Sequence, residues 1–268
     1  MREIYSIRTP LASMIEEAAR TITRVKWRGD VVLTLGEFGA VVFRKGGGPP
    51  IEVPALPVSR VDATGAGDAF AGIFLSLWLH GRPLVLSDIG ANSLLLPPAV
   101  WLQGKPVANR LKIIREWTKA GGGLVMAGGY FSFQGIDGKA RWRRTPVEEA
   151  LPVTCLPYDD RLEVPDGFKA VVTGPKNHPI LAGIEGEWPL LLGANEVVVK
   201  EGDGVEVLAR LPEEEGGHPL LVTGSYGKGR TVAWTSDIGP HWVPNEFVAW
   251  AGYATIWKNI LRWASQTN

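Results

Sequence analysis

An α/β fold built on a parallel sheet is predicted for most of this chain, and three stretches predict it. The apolar run Leu84-Val85-Leu86 breaks into the polar, Gly-containing stretch Ser87-Asp88-Ile89-Gly90-Ala91-Asn92, the form taken by a buried parallel strand at its C-terminal edge. Residues 107–119 carry a helical period that places Leu111, Ile114 and Trp117 on one face, and Gly121-Gly122-Gly123 ends it. Leu124-Val125-Met126-Ala127 is then a second buried strand, opening into Gly128-Gly129-Tyr130-Phe131-Ser132-Phe133-Gln134-Gly135. Strand, helix and strand in this order make a βαβ unit, so ligands are expected where the strands end, near residues 88–92 and 128–132.

The flanking elements follow from the same patterns. Upstream, residues 14–25 read as a helix with Ile15, Ala18, Ala19 and Ile22 on one face. Strands are expected at 31–35, 40–44 and 51–53, with Gly46-Gly47-Gly48-Pro49-Pro50 as a turn. An apolar helix after Gly67 stops at His80-Gly81-Arg82-Pro83. Downstream, a strand at 231–234 precedes a last helix in which Phe247, Trp250, Ala254, Trp257, Ile260, Leu261 and Ala264 recur at helical spacing. Five of the 11 tryptophans fall after residue 233, and with no basic groove beside them they read as core packing over a sheet rather than as a base-stacking platform.

Composition narrows the function classes. The 268 residues are 45% hydrophobic, enough for a substantial core in one large or two small domains. Lys plus Arg and Asp plus Glu are both 28, so no net basic field draws the chain to nucleic acid or to an anionic membrane. A single cysteine excludes an intramolecular disulfide and a multi-cysteine zinc site, and the 4 histidines have no metal-binding spacing. With neither a signal-like start nor a membrane-length apolar run, the cytoplasm is the expected location.

Two motifs carry chemistry. In Val61-Asp62-Ala63-Thr64-Gly65-Ala66-Gly67-Asp68-Ala69-Phe70, dense glycines at the mouth of an apolar helix form a nest of outward N–H groups suited to phosphate, and Asp68 at the first helical turn is placed to take a proton from an attacking hydroxyl. This string resembles the signature of the ribokinase-like (PfkB-type) carbohydrate kinases, with Ala63 as its departure, and Val31-Val32-Leu33-Thr34-Leu35-Gly36-Glu37-Phe38-Gly39-Ala40 resembles their nucleotide-side strand and turn. The resemblance implies Asp68 as catalytic base, Gly65, Ala66 and Gly67 as the phosphate-binding turn, and Asp62 in a cation site, with ATP and Mg as the cofactors of that reading. The likeness covers residues 1–84. The family's sugar-binding half and its adenine wall have no counterpart here, and phosphoryl transfer depends almost entirely on such positioning, so Asp68 is expected to be vestigial.

The second resemblance begins where the first stops. Leu86-Ser87-Asp88-Ile89-Gly90-Ala91-Asn92, the stretch 121–135, Leu151-Pro152-Val153 and Thr235-Ser236-Asp237-Ile238-Gly239-Pro240-His241-Trp242 are similar to a class I glutamine amidotransferase-like family related to ThuA-type proteins. The likeness covers residues 85–268. It implies a truncated flavodoxin-like parallel sheet with helices on both faces, preceded by the ribokinase-like α/β fragment. Because the first two βα units of such a sheet are missing, the kinase-like segment or a second copy of the chain is expected to cover the strand at residue 84, and a homo-oligomer is anticipated.

A working amidotransferase of this class needs a Cys on the turn after its central strand, oriented with His and Glu. The matching turn here reads Ala127-Gly128-Gly129-Tyr130-Phe131, without Cys or Ser at its apex, and Cys155 among apolar neighbours reads as a core thiol. Asp237 and His241 sit on a loop at a strand end. If Asp237 orients His241 the two form a base; the alternative is that His241 only bonds a backbone carbonyl beside Trp242. Tyr130 and Ser132 are candidates to line a pocket with them. Asp159-Asp160-Arg161 reads as a surface ion-pair loop and His178 as a turn residue. The expected function is therefore binding of a small molecule or partner by a nucleophile-free amidotransferase-like domain. The alternatives are kinase-like activity through Asp68, which Asp68→Asn would separate by loss of ATP-dependent stabilisation, and hydrolysis through His241.

Overall fold

A computed structural model describes residues 31–34, 40–43, 49, 51–53, 83–102, 104, 106, 108–239 and 241–266. The chain divides into two compact units, Met1–Ala71 and Gly72–Asn268. In the first, β1 (Val31–Thr34), β2 (Ala40–Phe43) and β3 (Ile51–Val53) form an antiparallel sheet in that order, matching the three strands expected there to within a residue. Val41 and Phe43, alternate residues of β2, are buried.

The second unit begins with β4 (Leu84–Ser87), then α1 (Ala91–Leu95), α2 (Pro98–Trp101), α3 (Arg110–Lys119) and β5 (Gly123–Ala127). The apolar period over 107–119 places the helix correctly, but α3 starts at Arg110, because the Asn109 side chain accepts N–H bonds from Leu111 and Lys112 at 3.0 and 3.2 Å. Such a cap is worth about 1 kcal/mol. There follow α4 (Pro146–Ala150), β6 (Val153–Cys155), β7 (Arg161–Phe168), β8 (Val171–Val172), β9 (Leu191–Asn195), β10 (Val197–Val199), β11 (Glu206–Arg210), β12 (Pro219–Tyr226), β13 (Gly229–Trp234), α5 (Asn245–Ala249) and α6 (Ala251–Ala264).

The main sheet has the strand order β4-β5-β13-β12-β11-β8. β4 and β5 run parallel, as the βαβ reading requires, and β13 joins β5 in the same direction. β12, β11 and β8 continue the sheet antiparallel, so it is completed on the β13 side by a meander within this chain, while β4 and β8 are its two terminal strands. Two antiparallel pairs, β7 with β9 and β6 with β10, stand apart from it.

Helices cover both faces. Val125 and Ala127 of β5 join Val232 and Trp234 of β13 in one apolar cluster with Ile256 and Ile260 of α6. By strand alternation Leu124 and Met126 face the other way, where they are equally buried. On that side α3 packs against β13 and buries Leu111 and Ile114. Because Ile260 is fully buried under the sheet, Ile260→Ala is expected to cost about 2–5 kcal/mol, read as a lower urea midpoint at unchanged slope.

One predicted element is corrected. The expected single C-terminal helix is two, broken at Trp250, whose backbone is extended at φ −66 and ψ 132. At the break the Trp250 ring lies against Phe247 at 5.5 Å and Trp188 at 6.1 Å between centroids. Trp142, Trp188, Trp234 and Trp242 are fully buried, as the core-packing reading requires. Among the described residues no helix is long and apolar enough to cross a membrane.

Candidate functional site at the ends of the parallel strands

The C-terminal ends of β4, β5 and β13 open on one side of the sheet, where backbone leaves regular pairing and side chains of three separate segments meet. The turn after β5 is built on two glycines. Gly128 N–H is shared between the carbonyls of Trp234 and Ser236, at 2.7 and 2.8 Å, which ties β5 to the exit of β13. A Cβ on Gly128 would lie 2.0 Å from the Thr235 carbonyl oxygen, so no side chain fits. Gly129 has φ +135, and a Cβ there would meet Oδ1 of both Asp88 and Asp237 at 2.8 Å.

The buried Asn195 side chain holds this turn from beneath. Its Oδ1 accepts Gly129 N–H at 2.9 Å, while its Nδ2 donates to Gly129 O at 3.2 Å and to Asp160 Oδ1 at 2.9 Å. Asp160, 1% exposed, also accepts N–H bonds from Gln134 and Gly135, both at 2.7 Å. Burial pushes its carboxyl up to about 6, even though the N–H bonds from Gln134, Asn195 and Gly135 favour the charged form.

The loop after β13 is bolted to β9. Asn195 N–H donates to Thr235 O, Leu192 N–H to Trp242 O, and Ser236 Oγ to Gly193 O, each at 2.8 Å. The loop so anchored presents Asp237 and His241 together, with Asp237 Oδ2 2.8 Å from His241 Nδ1. The same Oδ2 accepts Trp242 N–H at 3.2 Å. Burial raises the Asp237 carboxyl above the usual range, against the pull of His241 and the Trp242 N–H, and the neighbouring Asp88 carboxylate raises it further. The Asp237 side chain is 12% exposed and that of His241 43%, so the acid lies beneath and the imidazole faces solvent.

Tyr130 stands beside this pair. Its ring meets the His241 ring edge-on at 4.5 Å, and its hydroxyl donates to Glu163 Oε1 at 3.0 Å, which holds the phenol proton and raises its pKa. The other Glu163 oxygen accepts Trp242 Nε1–H at 2.9 Å, so this carboxylate on β7 braces both aromatic residues. The Arg161 guanidinium lies over the Tyr130 ring at 4.6 Å while its ion pair with Asp159 sits at 2.8 Å. The resulting cleft of about 420 Å³ is lined by Asp88, Tyr130, Phe131, Asp237, Gly239 and His241, with Ser87 and Ile238 at its margin. It offers oxygen acceptors, one solvent-facing imidazole and aromatic surface.

The expected site residues fall into three groups. Asp237, His241 and Tyr130 come together as read from the sequence, and His241 bonds the Asp237 carboxylate rather than a backbone carbonyl. Ser132 does not line the cleft: it is 1% exposed and its Oγ accepts the Asp88 N–H at 3.0 Å. Asp62, Gly65, Ala66, Gly67 and Asp68 lie outside the described residues. The surface reading of 159–161 holds for Asp159 with Arg161 but not for Asp160, which the Gly135 and Gln134 amides draw into the interior. His178 is a turn residue whose Nδ1 accepts Ile180 N–H at 3.2 Å. Cys155 is buried on β6, where burial pushes its thiol up. Among the described residues no group of three or more His, Cys, Asp or Glu side chains is arranged to hold a metal ion.

Glu163 and Asn195 were missed, and Asp160 misplaced, because each acts across 25 to 79 residues of chain and belongs to no local motif. Asp88 carried the one usable signal, a carboxylate directly after a buried strand.

The family model described as "Putative glutamine amidotransferase" matches residues 52–266, and that of the pfkB family carbohydrate kinases matches residues 9–87. Among solved structures, Cytoplasmic Protein STM3548 from Salmonella typhimurium is 30% identical with a TM-score of 0.64, over 89% of this chain and 95% of its own. Cytoplasmic Protein STM1381 from Salmonella typhimurium LT2 is 31% identical with a TM-score of 0.65, over 89% of this chain and 96% of its own. The kinase likeness is local: a cytidine kinase of Thermococcus kodakarensis is 51% identical over 57 residues, 20% of this chain. The chain matches only 19% and 16% of the length of the two curated kinases to which it is similar.

Proposed function

The chain belongs to the glutamine amidotransferase-like family, and we propose that its domain binds a small molecule in the cleft at the ends of β4, β5 and β13 without forming a covalent intermediate. The observation that carries this reading is the Asp237–His241 contact of 2.8 Å, which leaves the outer edge of an imidazole facing a cleft walled by Tyr130 and Phe131. The absence of Cys or Ser from Gly128-Gly129-Tyr130-Phe131 supports the non-covalent part. The ligand takes a hydrogen bond at His241 and lays apolar surface on Phe131, 42% of which is exposed.

Ligand-observed NMR against a panel of polyols, amines and amino alcohols tests this. A compound that binds the cleft is expected to lose about tenfold or more in affinity in His241→Ala and in Asp237→Asn, with the double variant no worse than the poorer single one, because the two act as a unit. A ligand held equally well by both variants would place binding elsewhere.

A second reading rests on the same contact. An imidazole oriented by a buried carboxylate is also a general base that takes a proton from water, which would make the domain a hydrolase. It predicts that His241→Ala abolishes turnover of a bound ester or amide while leaving its binding measurable. A ligand that stays intact over hours with the wild-type protein would favour binding alone.

A further inference from the structure

The backbone N–H of Phe131, on the turn where this fold presents its ligand-facing groups, is already bonded to a carboxylate of the protein itself. Asp88 Oδ1 accepts it at 2.7 Å, a short charge-assisted contact. The geometry needed for this is unusual. Asp88 follows β4 in the left-handed region, at φ +47, which Asp and Asn tolerate better than other residues with a side chain. Its own N–H is pinned by Ser132 Oγ at 3.0 Å, so the backbone is fixed where the carboxylate reaches across the turn. Asp237 stands beside it: its Oδ1 lies 2.8 Å from where a Cβ on Gly129 would sit, the same distance as Asp88 Oδ1, so both carboxylates crowd one side of the glycine. Among the described residues the cleft is lined by no Lys or Arg, and its one basic side chain, His241, is bonded to Asp237, which leaves Asp88 without a cation beside it in the lining.

We propose that Asp88 is the specificity-determining residue of this cleft: its carboxylate fills the Phe131 N–H from within, so the site takes small ligands that bring N–H or O–H donors and turns away those that bring a carboxylate or phosphate. An arriving anion meets like charge from Asp88 and Asp237 and finds the amide that would hold it occupied. A ligand with donors meets acceptors already oriented by the turn. This rests on the reading of the cleft as a binding site, but its test does not depend on finding the natural ligand.

The test uses two variants of the whole chain. Asp88→Gly removes the carboxylate and suits a left-handed backbone, so the turn keeps its shape; Asp88→Asn keeps the shape and an acceptor oxygen but removes the charge. Acetate and inorganic phosphate are titrated against each protein while the Phe131 amide is followed by ¹⁵N NMR. The wild type is expected to show no saturable response at Phe131. Asp88→Gly is expected to bind both anions there at least about tenfold more tightly than the wild type, and Asp88→Asn to fall between them. If folded Asp88→Gly gains no anion affinity at Phe131, or the wild type already binds acetate there as tightly, the assignment is overturned. If Asp88→Gly gains anions but no panel compound binds the wild-type cleft, the gate stands and the proposed binding function fails, so the two can be told apart.

Discussion

Gly128→Ala is expected to destabilise the protein by at least about 3 kcal/mol, the upper end of what overpacking costs, and to dismantle the cleft. The methyl would sit 2.0 Å from the Thr235 carbonyl oxygen and 2.8 Å from Asn195 Oδ1. Neither can yield cheaply. The Thr235 carbonyl is bonded to Asn195 N–H, and the Asn195 side chain is bonded to both polar groups of Gly129. Any shift therefore breaks hydrogen bonds between β5, β9 and the β13 exit together. Chemical denaturation gives the stability change, and the amide signals of Tyr130 and Phe131 report the turn. Gly239→Ala is the control: it lies in the same cleft, nothing stands within 4 Å of its Cβ position, and its cost should stay within about 0.5 kcal/mol. Equal costs for the two variants would mean that Gly128 is not the close-packed point described here.

Asp160→Ala should be the most damaging polar substitution, at about 3–5 kcal/mol, because it leaves Gln134 N–H, Gly135 N–H and one Asn195 proton without a partner in the interior. The wild-type residue also imposes a pH dependence whose sign is fixed. Its folded pKa of about 6 lies above its ordinary 3.8, so the folded state holds the proton more tightly. The stability this contributes is fully present below about pH 4 and is lost as pH rises through about 6, a change of about 3 kcal/mol over that window from this group alone. Urea midpoints from pH 4 to 7 measure it, and the Asp160-dependent part should disappear in Asp160→Asn. If the wild type and Asp160→Asn follow the same curve, Asp160 does not titrate in this range.

How far the site could be read in advance depended on the distance over which each residue acts. Asp237 and His241 are four residues apart on one loop, so the strand Gly229–Trp234 was enough to place them together at a sheet edge. Tyr130 followed from β5 in the same way. Ser132 was assigned to the wrong side because the turn from Gly129, at φ +135, follows no regular period, and the Ser132 hydroxyl is taken inward by the Asp88 N–H, 44 residues away in the chain. Asp160 was misjudged because its neighbours Asp159 and Arg161 do form the expected ion pair, half-buried at the surface, and only the amides of Gln134 and Gly135 make an interior place for a third charge.

By itself the sequence determined the α/β class, the parallel pairing of β4 and β5 through a helix, and the presence of chemistry where the strands end. Apolar runs, their lengths and the glycines that stop them are local properties, and they fix local structure. It also showed that residues 128–131, directly after β5, include neither Cys nor Ser. Tertiary structure alone decided that β12, β11 and β8 extend the sheet antiparallel, that Glu163 braces Tyr130 and Trp242, that Asn195 and Asp160 hold the turn, and that the Asp88 carboxylate lies on the Phe131 N–H. Each of these joins groups distant in the chain, whose meeting is set by packing and by the need to satisfy buried polar groups rather than by any pattern in the neighbouring residues.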